Sequence, residues 1–123
     1  MRTLLFYLGL GFISTHELDA MTHHEWRLLY VLRDLAELLA RDAFVAVHVP
    51  LFAALVWVTH QPSAVWRERC RLLLMVFLVI HLGLHWRLST HPLYSFHTTL
   101  SWALIIGGAL CGFAYTVLTL RRR

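Results

Sequence analysis

Residues 14–27 read STHELDAMTHHEWR, and they overlap the end of an apolar run, TLLFYLGLGFISTHEL, at residues 3–18. The reading of this junction decides the fold. Behind Arg2, the apolar run is open to two readings, a secretory leader or a membrane helix. A leader ends in a small-residue cleavage site, and Leu18-Asp19-Ala20 is a poor one, so an uncleaved membrane helix is expected. The run is short of the ~20 residues that cross a bilayer, which carries the helix on through Ala20 and Met21. His16, Glu17 and Asp19 then fall in its last two turns, with His23, His24 and Glu25 just beyond. Crossing a membrane requires none of these groups. Imidazoles and carboxylates together are what a metal site or a proton-handling site needs.

The rest of the composition agrees with a membrane setting. The 123 residues suffice for one domain, and 59% of them are hydrophobic, with a mean hydropathy of +0.61. That is too apolar for an ordinary soluble domain of this size. Basic character comes from eleven arginines and no lysine. They are scattered around apolar runs rather than gathered on one polar face, which argues against nucleic-acid binding and for anchors at helix ends. Cys70 sits in an arginine-rich stretch and Cys111 inside an apolar run, so two separate, inert thiols are expected.

Working outward from the junction, residues 24–41 place Leu28, Leu32, Leu35 and Leu39 at helical spacing, opposite Arg33, Asp34, Glu37 and Arg41. The spacing predicts an amphipathic helix lying in the membrane interface, with Trp26 and Tyr30 at the depth such rings favour. Further spans are expected at about 43–59, 72–88 and 96–120, making a single domain over 1–123 with a first span at about 3–21. Pro50 removes one backbone hydrogen bond from the second span and frees the carbonyl of Ala46. Ser63 is a suitable N-cap for the third helix. In the fourth, Gly108 and Gly112 form a GxxxG face that allows close packing, either within the chain or against a partner. The expected fold is all-α: a polytopic membrane four-helix bundle with an interfacial helix between the first two spans.

Four spans put the N-terminus, the loop at 60–71 and the C-terminus on one side. That side holds Arg2, Arg67, Arg69, Arg71, Arg121, Arg122 and Arg123, against Arg27, Arg33, Arg41 and Arg87 on the other. The excess places both termini in the cytoplasm. Every histidine except His60 then lies in the outer half of the bundle or just outside it. His48 falls ~9 Å into the second span, at 1.5 Å per residue. His81 and His85, at i and i+4, share a helix face, as paired metal-binding histidines do. His16 and Asp19, at i and i+3, share another, while Glu17 is turned from His16 by roughly 100°.

Unpaired ionisable groups in lipid cost several kcal/mol, so groups from three helices at one depth are expected to face each other. His16, Asp19, His48, His81, His85 and His24 are the candidate metal ligands, and Glu17 and Glu25 the candidate general bases. The alternative is a hydrogen-bonded polar plug. His23, His91 and His97 are read as interfacial and His60 as a solvated loop residue.

THELDAMTHHEWRLL, AVHVPLF, VIHLGLH and HPLYSF…SW together resemble the motif set of a bacterial family of small, uncharacterised integral membrane proteins. That resemblance implies a four-helix membrane fold, a place in the bacterial inner (cytoplasmic) membrane, and no established activity. A looser similarity is to the HXXEE domain family, although the paired glutamates of that motif are absent from His16-Glu17-Leu18-Asp19-Ala20. The segment from His81 to Trp86 also resembles the H-x-x-x-H-W segment of small cytochrome-b-like bundles, which implies His48 opposite His81 or His85 as haem ligands.

Three functions remain. The first is a divalent metal site, zinc or iron, activating water or oxygen for hydrolysis or oxidoreduction. The second is a haem b electron carrier. The third is a cofactor-free accessory or proton-handling membrane subunit. No Ser-His-Asp spacing, phosphate-cradling glycine loop or nucleotide motif is present. The lipid bilayer is the expected partner, with a homodimer or a membrane-complex subunit docking through Gly108 and Gly112 as further options.

Overall fold

The structure, a computed structural model, describes residues 1–121; Arg122 and Arg123, two of the arginines used for orientation, lie outside the described residues. It is all-α, with four long helices and no strand among the described residues: α1 (Arg2–Thr22), α2 (Glu37–Thr59), α3 (Ala64–Leu88) and α4 (Thr99–Leu120). α2, α3 and α4 are each long and apolar enough to cross a membrane. α1 is not among them, because His16, Glu17 and Asp19 dilute its apolar run.

α4 packs along both α1 and α3, and the contacts run in register from end to end. Arg2 reaches Thr119 and Glu68, each at 3.4 Å, and Phe6 meets Tyr115. At the other end His23 meets Ser101 and Phe96. Glycine makes the close approach possible: a Cβ on Gly112 would collide with the backbone carbonyl of Met75, and one on Gly107 with the Phe12 ring. Gly108 faces Phe12 and Leu78. The GxxxG face is therefore occupied by the chain's own helices.

Two apolar clusters divide the interior. Phe6, Ile13, Met75, Leu78, Cys111 and Tyr115 fill the half nearer the termini, and Ala20, Trp26, Ala40, Phe44, Tyr94 and Phe96 fill the other. The layer between them is polar. α2 is peripheral, burying only Ala40, Phe44 and Thr59, and it stays helical through Pro50. Both cysteines are free.

The amphipathic helix expected over 24–41 does not form. His24 takes a left-handed backbone (φ 53°), followed by a single 3-10 turn over Glu25–Arg27 and further turns until α2 starts at Glu37. The leucine spacing is cut by this geometry. Leu28 and Leu32 pack on the Trp26 cluster, while Leu35 and Leu39 stay exposed. The loop is clipped to α2 by Glu37, which receives Arg27 and His24, each at 3.1 Å.

Candidate metal centre

The polar layer is built from α1 and α3. His16 projects from α1 towards His81 and His85, which share one face of α3, and the three ring centroids lie 4.5–4.9 Å apart. One nitrogen from each ring can be chosen so that all three lie within 4.8 Å of one another. Shifts of under about 1 Å bring such a trio to the ~2.0–2.1 Å nitrogen distance of a zinc ion. His16 and His85 are buried, and His81 is partly buried.

The hydrogen-bond inventory is unusual. Neither nitrogen of His16 has a partner, nor does Nε2 of His81, although all three atoms are buried. Buried polar atoms are normally satisfied, and leaving one unmade costs on the order of 1–3 kcal/mol. A neutral imidazole offers one lone pair, so His16 and His81 each turn one unengaged nitrogen lone pair to the layer, as ligands to a cation would. A void of about 10 Å³ adjoins His16 and His81, closed by Ile13, Leu78, Leu104, Ile105 and Gly108. It has room for one water or ion and none for a macrocycle.

The other predicted site residues surround this trio without joining it. His48 Nδ1 donates to the Phe44 carbonyl at 2.6 Å, and its Nε2 shares a hydrogen bond with Glu17 at 2.9 Å. Both His48 nitrogens are thereby engaged, so it makes no pair with His81 or His85. Asp19 lies 3.4 Å from His23 through Oδ1, while its buried Oδ2 has no partner. His24 points to the exposed Glu37 instead. Glu25, on the 3-10 turn, buries an unpartnered Oε2. Burial and the negative charge of Glu17 push its carboxyl up to about 7, with Asp19 adding to the rise and His48 opposing it. At neutral pH Glu25 thus exchanges its proton readily.

Two further residues join the site from the irregular connection between α3 and α4, where no spacing in the sequence marks them. Tyr94 hydrogen-bonds His85 Nδ1 at 3.0 Å, and the Phe96 ring packs against His16, His23 and His85. Burial, reinforced by Glu25, raises the Tyr94 phenol to about 12, so it stays neutral. The only signal available was position: aromatics following Pro92, on the return to the depth of the trio.

No curated protein and no solved structure matches the chain. A family of unknown function (DUF6713) matches residues 2–122, and the chain belongs to that family.

Proposed function

We propose that the chain is a multi-pass protein of the bacterial inner membrane, both termini cytoplasmic, holding one divalent metal ion on His16, His81 and His85. The observation that carries this reading is the trio of buried, unpartnered nitrogens on His16 and His81. Nitrogen donors without a thiolate suit zinc or ferrous iron. Three protein ligands leave a coordination position open, as in catalytic rather than structural zinc sites. The ion, when bound, supplies a Lewis acid that lowers the pKa of a water beside it.

The remaining roles fall to the chain itself. Glu17 is engaged by His48, whereas Glu25 has a free oxygen and a proton it exchanges near neutrality. Glu25 is therefore the better proton acceptor of the two. The membrane setting is supported by the exposed apolar surface of α2, where Val49 and Trp57 are 73% and 70% exposed. Metal analysis of protein extracted in mild detergent is the test. About one zinc or iron per chain is expected, lost in His16→Ala and His85→Ala. Sub-stoichiometric metal that neither substitution changes would remove the reading.

A cofactor-free, proton-handling membrane subunit is the second reading, favoured by the Glu17–His48 and Asp19–His23 pairs. It takes the lead if the metal analysis is negative.

A further inference from the structure

We propose that Tyr94 is the positioning residue of the histidine trio: its phenolic oxygen accepts the Nδ1–H of His85 and so presents the His85 Nε2 lone pair to a divalent cation. The cation rests on the function proposed above; the orientation of His85 does not.

A neutral imidazole carries one ring hydrogen, and the hydrogen bond made by one nitrogen decides which atom holds it. Here that bond is between His85 Nδ1 and the Tyr94 hydroxyl, 3.0 Å apart. Both residues are 4% exposed, so bulk water does not compete. A phenol can donate or accept. The surroundings choose between the two. With the hydrogen on Nε2, His85 would turn a donor towards the trio, yet His16 and His81 Nε2 receive no hydrogen bond. With the hydrogen on Nδ1, the Nε2 lone pair of His85 is free, and metal-bound histidines almost always donate their second N–H in this way.

The connection that carries Tyr94 is built to hold it. The Tyr94 N–H donates to the His91 carbonyl at 2.9 Å, and the Tyr94 carbonyl accepts from His97 Nε2 at 3.0 Å. The Ser95 hydroxyl donates to the His23 carbonyl, tying the same segment to the end of α1. Tyr94 also forms part of the wall of an outer cleft of about 210 Å³, shared with His23, His24 and Arg27.

The test is nitrogen-15 NMR of histidine-labelled, metal-free protein in detergent, followed by titration with cobalt(II). His85 is expected in the Nδ1–H form in the wild type and in a mixture of tautomers in Tyr94→Phe. Cobalt affinity should fall 10- to 100-fold in that variant, with shifted visible absorption bands. Phe96→Leu is the packing control, because the Phe96 ring packs edge-on against His85, with centroids 4.9 Å apart, without hydrogen-bonding it. It should leave the tautomer unchanged. An Nε2–H form in the wild type overturns the proposal, and that spectrum decides the matter even if Tyr94→Phe does not fold. So does a tautomer unaffected by Tyr94→Phe, or equal effects from both substitutions. A wild type with the Nδ1–H form that takes up no cobalt sinks the metal reading and leaves the positioning of His85 standing.

Discussion

Glu25 shows how far a single side chain's chemistry depends on neighbours distant in sequence. Its carboxyl rises from an ordinary 4.5 to about 7, first through burial and then through Glu17 and Asp19. Between those two values the unfolded chain has lost the proton and the folded chain has kept it. The folded state therefore binds more protons, and unfolding free energy falls as pH rises through this window. The stabilisation is complete below about pH 4.5 and gone above about pH 7, a change on the order of 3 kcal/mol. Glu25→Gln should flatten that part of the profile, followed as unfolding in detergent by circular dichroism. A profile unchanged by the substitution would show that the Glu25 carboxyl titrates alike in the folded and unfolded chains. Sequence made some of this layer legible: the i, i+4 spacing of His81 and His85 puts both on one face, and depth brings His16 level with them. It did not reveal Tyr94 and Phe96, which lie in an irregular connection with no periodicity to read. Nor did it separate His48 from the trio, because depth alone says nothing of the rotation that turns Glu17 towards His48.

Among the elements, α4 holds the molecule together, since α1 and α3 both pack on it. Its glycines act by absence. A methyl group at Gly112 would meet the Met75 carbonyl, which cannot move without displacing α3. Gly112→Ala is expected to destabilise by about 1–3 kcal/mol, the usual cost of overpacking a well-filled contact. Gly11 is the matching control on α1, because nothing lies within 4 Å of its added Cβ. Gly11→Ala should be neutral or stabilise by up to about 1 kcal/mol through helix propensity. Equal effects of the two in a detergent unfolding assay would remove the close α3–α4 approach as the cause. The GxxxG motif was readable from sequence, but what it packs against required the third dimension. The segment 24–41 misled for a related reason: leucines at helical spacing satisfy a pattern whether or not one helix carries them. The left-handed backbone at His24 and the Glu37 clip divide that pattern between a loop and the start of α2.

At the scale of the whole molecule, composition and packing point in different directions for α1. By hydropathy only α2, α3 and α4 qualify. By register α1 runs the full length of α4, from Arg2 beside Thr119 to His23 beside Ser101. Its 21 residues make a helix about 31 Å long at 1.5 Å per residue, the thickness of a hydrocarbon core. The groups that lower its hydropathy are the ones the fold turns inward or pairs: His16 against His81 and His85, Glu17 with His48, Asp19 with His23. Polar side chains arranged in this way cost far less in lipid than a composition scale assigns them. This arrangement supports the proposed topology of four crossings, with both termini on the side richer in arginine. Reporter fusions check this directly: green fluorescent protein should fluoresce at either end, and alkaline phosphatase should be inactive at both. Termini on opposite sides would mean three crossings, would take α1 out of the bilayer, and would leave His16 at the surface rather than in a membrane-embedded trio.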